Sequence, residues 1–295
     1  MKVLLVGISG LLGKHIFAST PSHHRVIGTY MTSKAHYPDS FKLDITKENM
    51  VNKVLNEIQP DIVMNAASLG NVDYCEKHQE EAWKVNVVGN ENMLSSAKKI
   101  GAKYIFFSSN AVFNGNKPPY REKSTIDPVN FYGKTKAVAE EIILKKYPHN
   151  SLILRLTTMY GWNDTRERNN PATWIISRLS KNMPTHVVDD VFNNHLWVGQ
   201  AANTIWKAID LNFYGEIFHI AGNECISRYE FSKKVAQVFN LDEHLLLPVS
   251  STFFPSITPR PHNTCFDTSK MKKILKIKPL DVSSGLTFMK KEKKI

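Results

Sequence analysis

The 295-residue chain has no apolar run approaching the ~20 residues that a bilayer-spanning helix needs, so an integral membrane protein of helical type is excluded. Its opening stretch, Met1-Lys2-Val3-Leu4-Leu5-Val6-Gly7, is too short for a signal peptide, and the glycines that follow read as a turn rather than a cleavage site. Cytoplasmic residence is the expectation. Cysteine is scarce: Cys75, Cys225 and Cys265 are odd in number and widely spaced, forming neither a disulfide framework nor a CxxC metal site. Three reduced, mostly buried thiols and no metal centre are expected. Internal repeats and low-complexity linkers are also missing, so any second lobe packs closely on the first. No zinc-finger spacing or RNA-binding aromatic motif accompanies the formal charge of +11. Part of that excess comes from Lys290, Lys291, Lys293 and Lys294, which read as a solvated tail, and nucleic acid is not expected as a partner.

What is present is an ordinary globular composition, 42% hydrophobic and 22% charged, which suffices for one large core. In the first half, short apolar runs alternate with helix-like segments. Strands are predicted at Val3 to Val6, Arg25 to Thr29, Asp61 to Asn65, Lys103 to Ser108 and Ser151 to Leu156. Helices are predicted from Leu12 to Ala18, Lys47 to Glu57 (ending before Pro60), Glu80 to Lys99 and Tyr132 to Lys146. This rhythm is that of βαβ units, and strands apolar on both faces imply a sheet covered by helices on each side. The expected class is α/β: a Rossmann-type, doubly wound parallel sheet with a smaller C-terminal lobe for substrate. Residues 1–162 and 186–221 are assigned to the dinucleotide-binding domain, and 163–185 and 222–295 to the lobe. In the second half, Val187-Val188 and Gly215 to Ala221 read as strands, and Gln200 to Leu211 and Arg228 to Phe239 as helices. Leu247 to Pro261, rich in proline, serine and threonine, reads as an irregular loop.

In such sheets, ligands bind at the carboxyl ends of the strands. Directly after the first strand, Gly7, Gly10 and Gly13 form GxxGxxG, leading into a helix with Leu11 and Leu12 in its first turn. A tight turn, close backbone approach to a pyrophosphate and free helix N–H groups are what a dinucleotide requires. The second strand ends Gly28-Thr29-Tyr30-Met31-Thr32-Ser33-Lys34 without the acid that NAD-specific sites use on the ribose. Ser33 and Lys34 can donate to a 2′-phosphate, which favours NADP(H) over NAD(H). A solvated loop lysine is the alternative for Lys34. Asp44, Ile45, Ala66, Ala67 and Ser68 follow later strands and complete the expected cofactor bed. For the two alanines, simple sheet–helix packing is an equal alternative.

Tyr132 and Lys136 lie at i and i+4, hence on one helical face, and follow the strand that ends Ser108-Ser109. A phenol titrates near ~10 in isolation, and a neighbouring ammonium is expected to lower that value for proton exchange. The glycine turn, the serine pair and Tyr132/Lys136 together resemble an extended short-chain dehydrogenase/reductase. More narrowly, the chain is similar to the dTDP-4-dehydrorhamnose reductase group. That resemblance is carried by Asn65-Ala66-Ala67, Val72-Asp73, Cys75-Glu76, Ser108 to Gly115, Tyr120-Arg121-Glu122, Val188-Asp189-Asp190, Tyr229-Glu230-Phe231, Arg260 to Asn263 and Asp267. It implies that Ser109 holds the substrate carbonyl, Tyr132 delivers the proton, and Lys136 tunes Tyr132 and binds the nicotinamide ribose. It also implies NADPH-dependent reduction of a keto group on a nucleotide-linked sugar for surface polysaccharide precursors. Asn110, Thr158 and Asn194 then face the sugar, and Arg260 meets the diphosphate or, alternatively, makes an ion pair between lobes. A homodimer is compatible with this reading.

The sequence departs from the group where a sugar ring would sit. Asn110 and Ala111 replace an Asp and a Tyr, no aromatic lies near Thr158, Asn193-Asn194-His195 replaces a Gly-Ser/Thr-Pro stretch, and Gln200 stands where an acid is expected. Asn110-Ala111 cannot supply the Asp-Glu pair of a sugar-nucleotide dehydratase or the cysteine of an epimerase-reductase. The alternatives to a reductase are an epimerase with retained cofactor and a non-catalytic NADP-binding subunit resembling the regulatory subunit of methionine adenosyltransferase.

Overall fold

The computed structural model describes residues 1–32, 37, 39–163, 168–254 and 258–292. Its centre is a seven-stranded, wholly parallel sheet. Six strands are β1 (Lys2–Val6), β2 (Arg25–Tyr30), β3 (Ser40–Lys42), β4 (Ile62–Asn65), β5 (Lys103–Ser109) and β6 (Ser151–Leu156). The seventh, Glu216–Ile220, lies at the edge beside β6, giving the spatial order Glu216–Ile220, β6, β5, β4, β1, β2, β3. The chain reverses its direction of travel across the sheet between β1 and β4, and a crevice opens there above the strands' carboxyl ends.

Alternation along each strand explains the two covered faces. Val3 and Leu5 of β1, Ile105 and Phe107 of β5, and Leu152 and Leu154 of β6 pack beneath α1 (Leu11–Ala18) and the helix Val198–Asp210. Leu4, Val6, Tyr104, Phe106 and Ile153 point the other way. They meet α2 (Glu48–Ile58) and the helices Asn90–Lys99 and Phe131–Lys146. With both faces buried, period-two alternation of polarity vanishes, and β4 and β6 are buried at every position. A separate cluster, including Tyr160, Ile175, Phe231, Val235, Leu286 and Met289, forms the core of the smaller lobe.

Several expectations are corrected. Cys225 and Cys265 are joined in a disulfide and only Cys75 is a free, buried thiol, so the expectation of three reduced thiols fails. The lysine-rich end is not simply a solvated tail: Val282–Glu292 is a helix, with Met289 fully buried and Lys290 Nζ donating to Val238 O at 2.6 Å. Lys293 and Lys294 lie outside the described residues. The stretch expected as loop begins with a short strand, Leu246–Val249, paired in parallel with Thr185–Val188. The single long helix expected from Glu80 to Lys99 is a composite: Gln79–Trp83, a π-helical turn Lys84–Gly89, and Asn90–Lys99. Among the described residues no helix is long and apolar enough to cross a membrane.

Candidate active site at the carboxyl ends of the strands

Where β1 ends, Gly7 turns the chain at φ +87°, a left-handed conformation that costs an L side chain energy but glycine almost nothing. The N–H groups of Gly7 and Ile8 both donate to Thr29 O at 2.9 Å, latching the turn to the end of β2. A Cβ at Gly7 would lie 2.9 Å from the Ala67 nitrogen, and one at Gly13 would lie 2.3 Å from Gly7 O. These two glycines are therefore demanded by the fold itself. Gly10 differs: its nearest neighbour would be Gly7 O at 3.6 Å, so that side of the turn is open. Gly10 is the N-cap of α1, and no side chain caps the helix, which leaves the first-turn N–H groups of Leu11, Leu12 and Gly13 and the positive helix end available to an anion. This cradle fits a dinucleotide pyrophosphate.

Around it, Ala66 N donates to Val6 O at 2.9 Å, holding the end of β4 against β1. Ser68 Oγ donates to Asn86 Oδ1 at 3.0 Å. Ile45 packs where a Cβ on Gly89 would come within 2.7 Å of it. Burial opposes ionisation of Asp44, but hydrogen bonds from the hydroxyl and N–H of Thr46 outweigh it and hold the carboxyl below its usual range. Ser33 and Lys34, expected at the 2′-phosphate, lie outside the described residues.

β5 delivers Ser109 to the same edge. Its Oγ accepts from Ala111 N at 3.1 Å and donates to Asn110 Oδ1 at 3.3 Å. The helix Phe131–Lys146 begins beside it, capped by Asn130, whose Oδ1 accepts from Gly133 N at 2.9 Å. A Cβ on Gly133 would stand 2.2 Å from Ala111 O, so the helix's first turn rests directly on the Asn110–Val112 turn. That contact brings the Tyr132 hydroxyl beside Ser109, close enough for the serine to act on its titration.

One turn further, Lys136 is 4% exposed, and its Nζ donates to Phe107 O at 3.0 Å. It lies 5.9 Å from the centre of the Tyr132 ring. Burial lowers Lys136 to about 8, with Glu140 acting against the shift. Burial pushes Tyr132 up to about 12, opposed by the Ser109 hydrogen bond. The expectation that the ammonium lowers the phenol is thus corrected for this geometry: the Lys136 proton is directed at a backbone carbonyl, and Tyr132 stays protonated at neutral pH. Beneath Lys136, Glu140 and Arg155 form an ion pair with side chains only 1% and 2% exposed.

On the sugar side, Asn110 Nδ2 donates to Asn193 Oδ1 and to Thr264 Oγ1, both at 2.6 Å. Thr158 is half-buried just past β6, and its carbonyl accepts from Leu196 N at 3.0 Å. Asn194 is buried, with Oδ1 accepting from Phe266 N at 2.6 Å, so its side chain ties together two segments 72 residues apart. Arg260 pairs with Asp73 at 2.8 Å, the alternative weighed for it, and Asn130 Nδ2 donates to the neighbouring Pro259 O at 3.1 Å.

Two residues emerge that the sequence did not single out. Asn86, in the π-helical turn, accepts from Leu69 N at 2.8 Å and donates to Leu69 O and Thr135 Oγ1, both at 3.1 Å. It joins the loop after β4 to the helix of Tyr132, and no local pattern distinguishes it from other helical asparagines. Arg228 is solvent-accessible, yet surrounding protein and the charges of Arg260 and Arg168 lower its pKa. The fold thus groups three cations that lie far apart in sequence.

The family model for the RmlD substrate binding domain matches residues 1–294. The chain is 31% identical over 288 residues to methionine adenosyltransferase 2 subunit beta of Xenopus laevis, covering 92% of this chain and 82% of that one. It is 28% identical over 301 residues to the dTDP-4-dehydrorhamnose reductase of Aggregatibacter actinomycetemcomitans, covering 97% of each. The crystal structure of dTDP-4-dehydrorhamnose reductase from Bacillus anthracis in complex with NADP superposes with a TM-score of 0.87 at 26% identity, covering 99% of each chain. The sheet order, the glycine turn and a match running nearly end to end agree: the chain belongs to the RmlD substrate binding domain family, within the extended short-chain dehydrogenases/reductases.

Proposed function

We propose that the protein is an NADP(H)-dependent oxidoreductase that reduces a keto group on a nucleotide-linked sugar, serving surface polysaccharide precursor synthesis. The observation that carries this is the convergence of Ser109, Tyr132 and Lys136 beside the glycine turn, at the crevice where the strand order reverses. Gly7, Gly10 and the N–H groups of Leu11 to Gly13 hold the pyrophosphate. Asp44, Ile45, Ala66, Ala67 and Ser68 form the rest of the bed, and Ser33 and Lys34 meet the 2′-phosphate. When bound, NADPH supplies the hydride. Ser109 holds the substrate carbonyl oxygen and Tyr132, protonated at neutral pH, donates its proton there. Lys136 orients the ribose and supplies the positive charge that stabilises the phenolate left behind. Arg228, Arg260 and Arg168 attract the diphosphate, and Asn110 and Thr158 face the sugar, with Asn194 bracing that wall.

The 31% likeness to a methionine adenosyltransferase subunit favours, as second reading, a non-catalytic NADP-binding subunit. Purified protein with NADPH and a panel of dTDP-, UDP-, GDP- and CDP-linked 4-keto sugars separates the readings. Loss of absorbance at the nicotinamide band is expected with one of them, and Tyr132→Phe lowers that rate by roughly 10²–10⁴-fold while NADPH affinity is unchanged. Tight NADPH binding with no reduction across the panel overturns the enzyme reading in favour of the subunit. Inversion of a sugar without net NADPH loss overturns it in favour of an epimerase.

A further inference from the structure

At the amino ends of the strands, opposite the candidate active site, two consecutive histidines converge on one carboxylate. His23 and His24 precede β2, and Asp210 ends the helix Val198–Asp210. The Nε2 atoms of His23 and His24 lie 3.0 and 2.8 Å from the same oxygen, Asp210 Oδ1. One ligand atom from each of the three residues falls within 4.8 Å of the other two. We propose that His23, His24 and Asp210 form a binding site for a divalent transition-metal ion of the zinc type.

The ligand set argues for that class of ion. Two imidazoles and one carboxylate match the borderline-soft preference of zinc, with distances of ~2.0–2.2 Å to each and a fourth position left for water. Magnesium and calcium select all-oxygen shells and are disfavoured here. Zinc ligands in a tetrahedron stand about 3.3 Å apart, so each nitrogen needs to draw back slightly from Oδ1, and the two nitrogens, within 4.8 Å of each other, to settle at that same spacing.

The site is also held in place. His24 has a side chain 0% exposed, stacked on Trp206 with ring centres 5.0 Å apart, and Trp206 Nε1 donates to Ile16 O at 2.9 Å. The amino group of Met1 donates to His23 O at 3.0 Å. His23 and Asp210 are 61% and 34% exposed, which leaves the ion a path from solvent. A hollow of about 440 Å³ adjoins this side, lined by Met1, Ile209, Asn212 and Tyr214 among others. His24 Nδ1 is buried without a hydrogen-bond partner. Metal-bound histidines normally donate from that second nitrogen, and its lack costs roughly 10–100-fold in affinity. Binding on the order of micromolar follows, weaker than a closed structural zinc site. The bound ion cross-links the turn before β2 to the helix Val198–Asp210 and braces that layer of the fold; it takes no part in the proposed reduction.

The test uses full-length protein, free of any histidine tag and stripped with chelator, titrated with Zn²⁺ by calorimetry and with Co²⁺ by visible absorption. One ion per chain is expected, with a rise in thermal midpoint under Zn²⁺. His23→Ala and Asp210→Asn should each weaken binding at least tenfold and abolish the Zn²⁺-dependent rise, with metal-free melting showing that both variants fold. No saturable binding below millimolar metal, or binding undiminished in both variants, overturns the assignment.

Discussion

Replacing Glu140 with Gln probes the charge buried beneath Lys136. Glu140 receives three hydrogen bonds from Arg155, at 3.0, 3.2 and 2.7 Å, with both side chains almost wholly buried. The Arg155 guanidinium also donates to Glu122 O at 3.0 Å and meets His219, which burial and Arg155 together hold neutral, at about 3. Gln keeps the volume and one acceptor but leaves the guanidinium buried without a counter-charge. Breaking such a pair costs about 3–5 kcal/mol. At roughly 2 °C per kcal/mol for a large domain, the melting midpoint followed by circular dichroism should fall by about 6–10 °C. Replacing both partners with apolar residues of similar size, Glu140→Leu with Arg155→Met, should restore part of the loss, because the guanidinium is then no longer stranded, while Lys136 still lacks the opposing carboxylate.

The same substitution reaches the site through Lys136. Its folded pKa, about 8, lies below the ordinary lysine value of 10.5 because burial disfavours the ammonium, and Glu140 is the first charge opposing that shift. The unfolded chain therefore holds more protons between about 8 and 10.5, and the contribution of Lys136 to stability rises with pH through that window. Without Glu140 the folded pKa drops further and the window opens at lower pH. If the ammonium serves the reaction, the rate of sugar reduction falls as pH passes about 8 in the parent, and the fall begins at lower pH in Glu140→Gln. A melting midpoint unchanged by Glu140→Gln, a double variant no more stable than the single one, or an unmoved pH limb would refute this account.

Gly133→Ala drives a methyl group to within 2.2 Å of Ala111 O and displaces the turn that sets Tyr132 against Ser109; kcat in the NADPH assay should fall about 10²-fold with cofactor affinity intact, and normal kcat would show that contact to be dispensable. Arg228→Gln removes one of the three grouped cations, so the KM for the nucleotide sugar should rise roughly tenfold or more while the KM for NADPH holds; unchanged substrate KM would place the diphosphate elsewhere. Cys225→Ser opens a loop of 40 residues, for which chain entropy gives about 4 kcal/mol, measurable as a lowered urea midpoint that reductant reproduces in the parent protein.

Six of the seven strands were legible because each carries a short apolar run flanked by polar or glycine-rich turns and burial on both faces leaves that signal strong, whereas β3, Ser40-Phe41-Lys42 at the sheet edge, has a single apolar residue and was missed. Gly7 and Gly13 were legible because the turn's own geometry forbids a side chain at both. Features built across long sequence distance were not. The pairing of Cys225 with Cys265 depends on two loops of the lobe meeting, and three cysteines offer no arithmetic for it. Leu246–Val249 contains Pro248 and takes its parallel partner from Thr185–Val188, so neither composition nor a nearby hairpin announced it. The π-helical turn at Lys84–Gly89 carries the same residue types as the helices on either side, and only the hydrogen-bond register differs. Spacing put Tyr132 and Lys136 on one face, but the direction of their titration followed from how deeply the fold buries both groups, which an i, i+4 rule does not contain.

On the proposed reading, the substituted sugar face limits the chemistry to one proton delivered to one oxygen. Elimination of water needs an acid and a base on different carbons of the ring, and epimerisation at a carbon beside the ketone needs a group that removes a proton from one face and returns it to the other. At 110 the amide nitrogen is spent on Asn193 and Thr264, its oxygen accepts from Ser109, and an amide does not exchange protons at neutral pH. At 111 there is a methyl group. Tyr132, held protonated by burial and touching Ser109, is suited to the single transfer that ketone reduction requires. If that inventory governs the outcome, Asn110→Asp should perturb the Asn193–Thr264 contacts and lower the rate of reduction, yet still yield no eliminated product and none inverted at the carbon beside the ketone, because one carboxylate beside a methyl group supplies only half of either reaction.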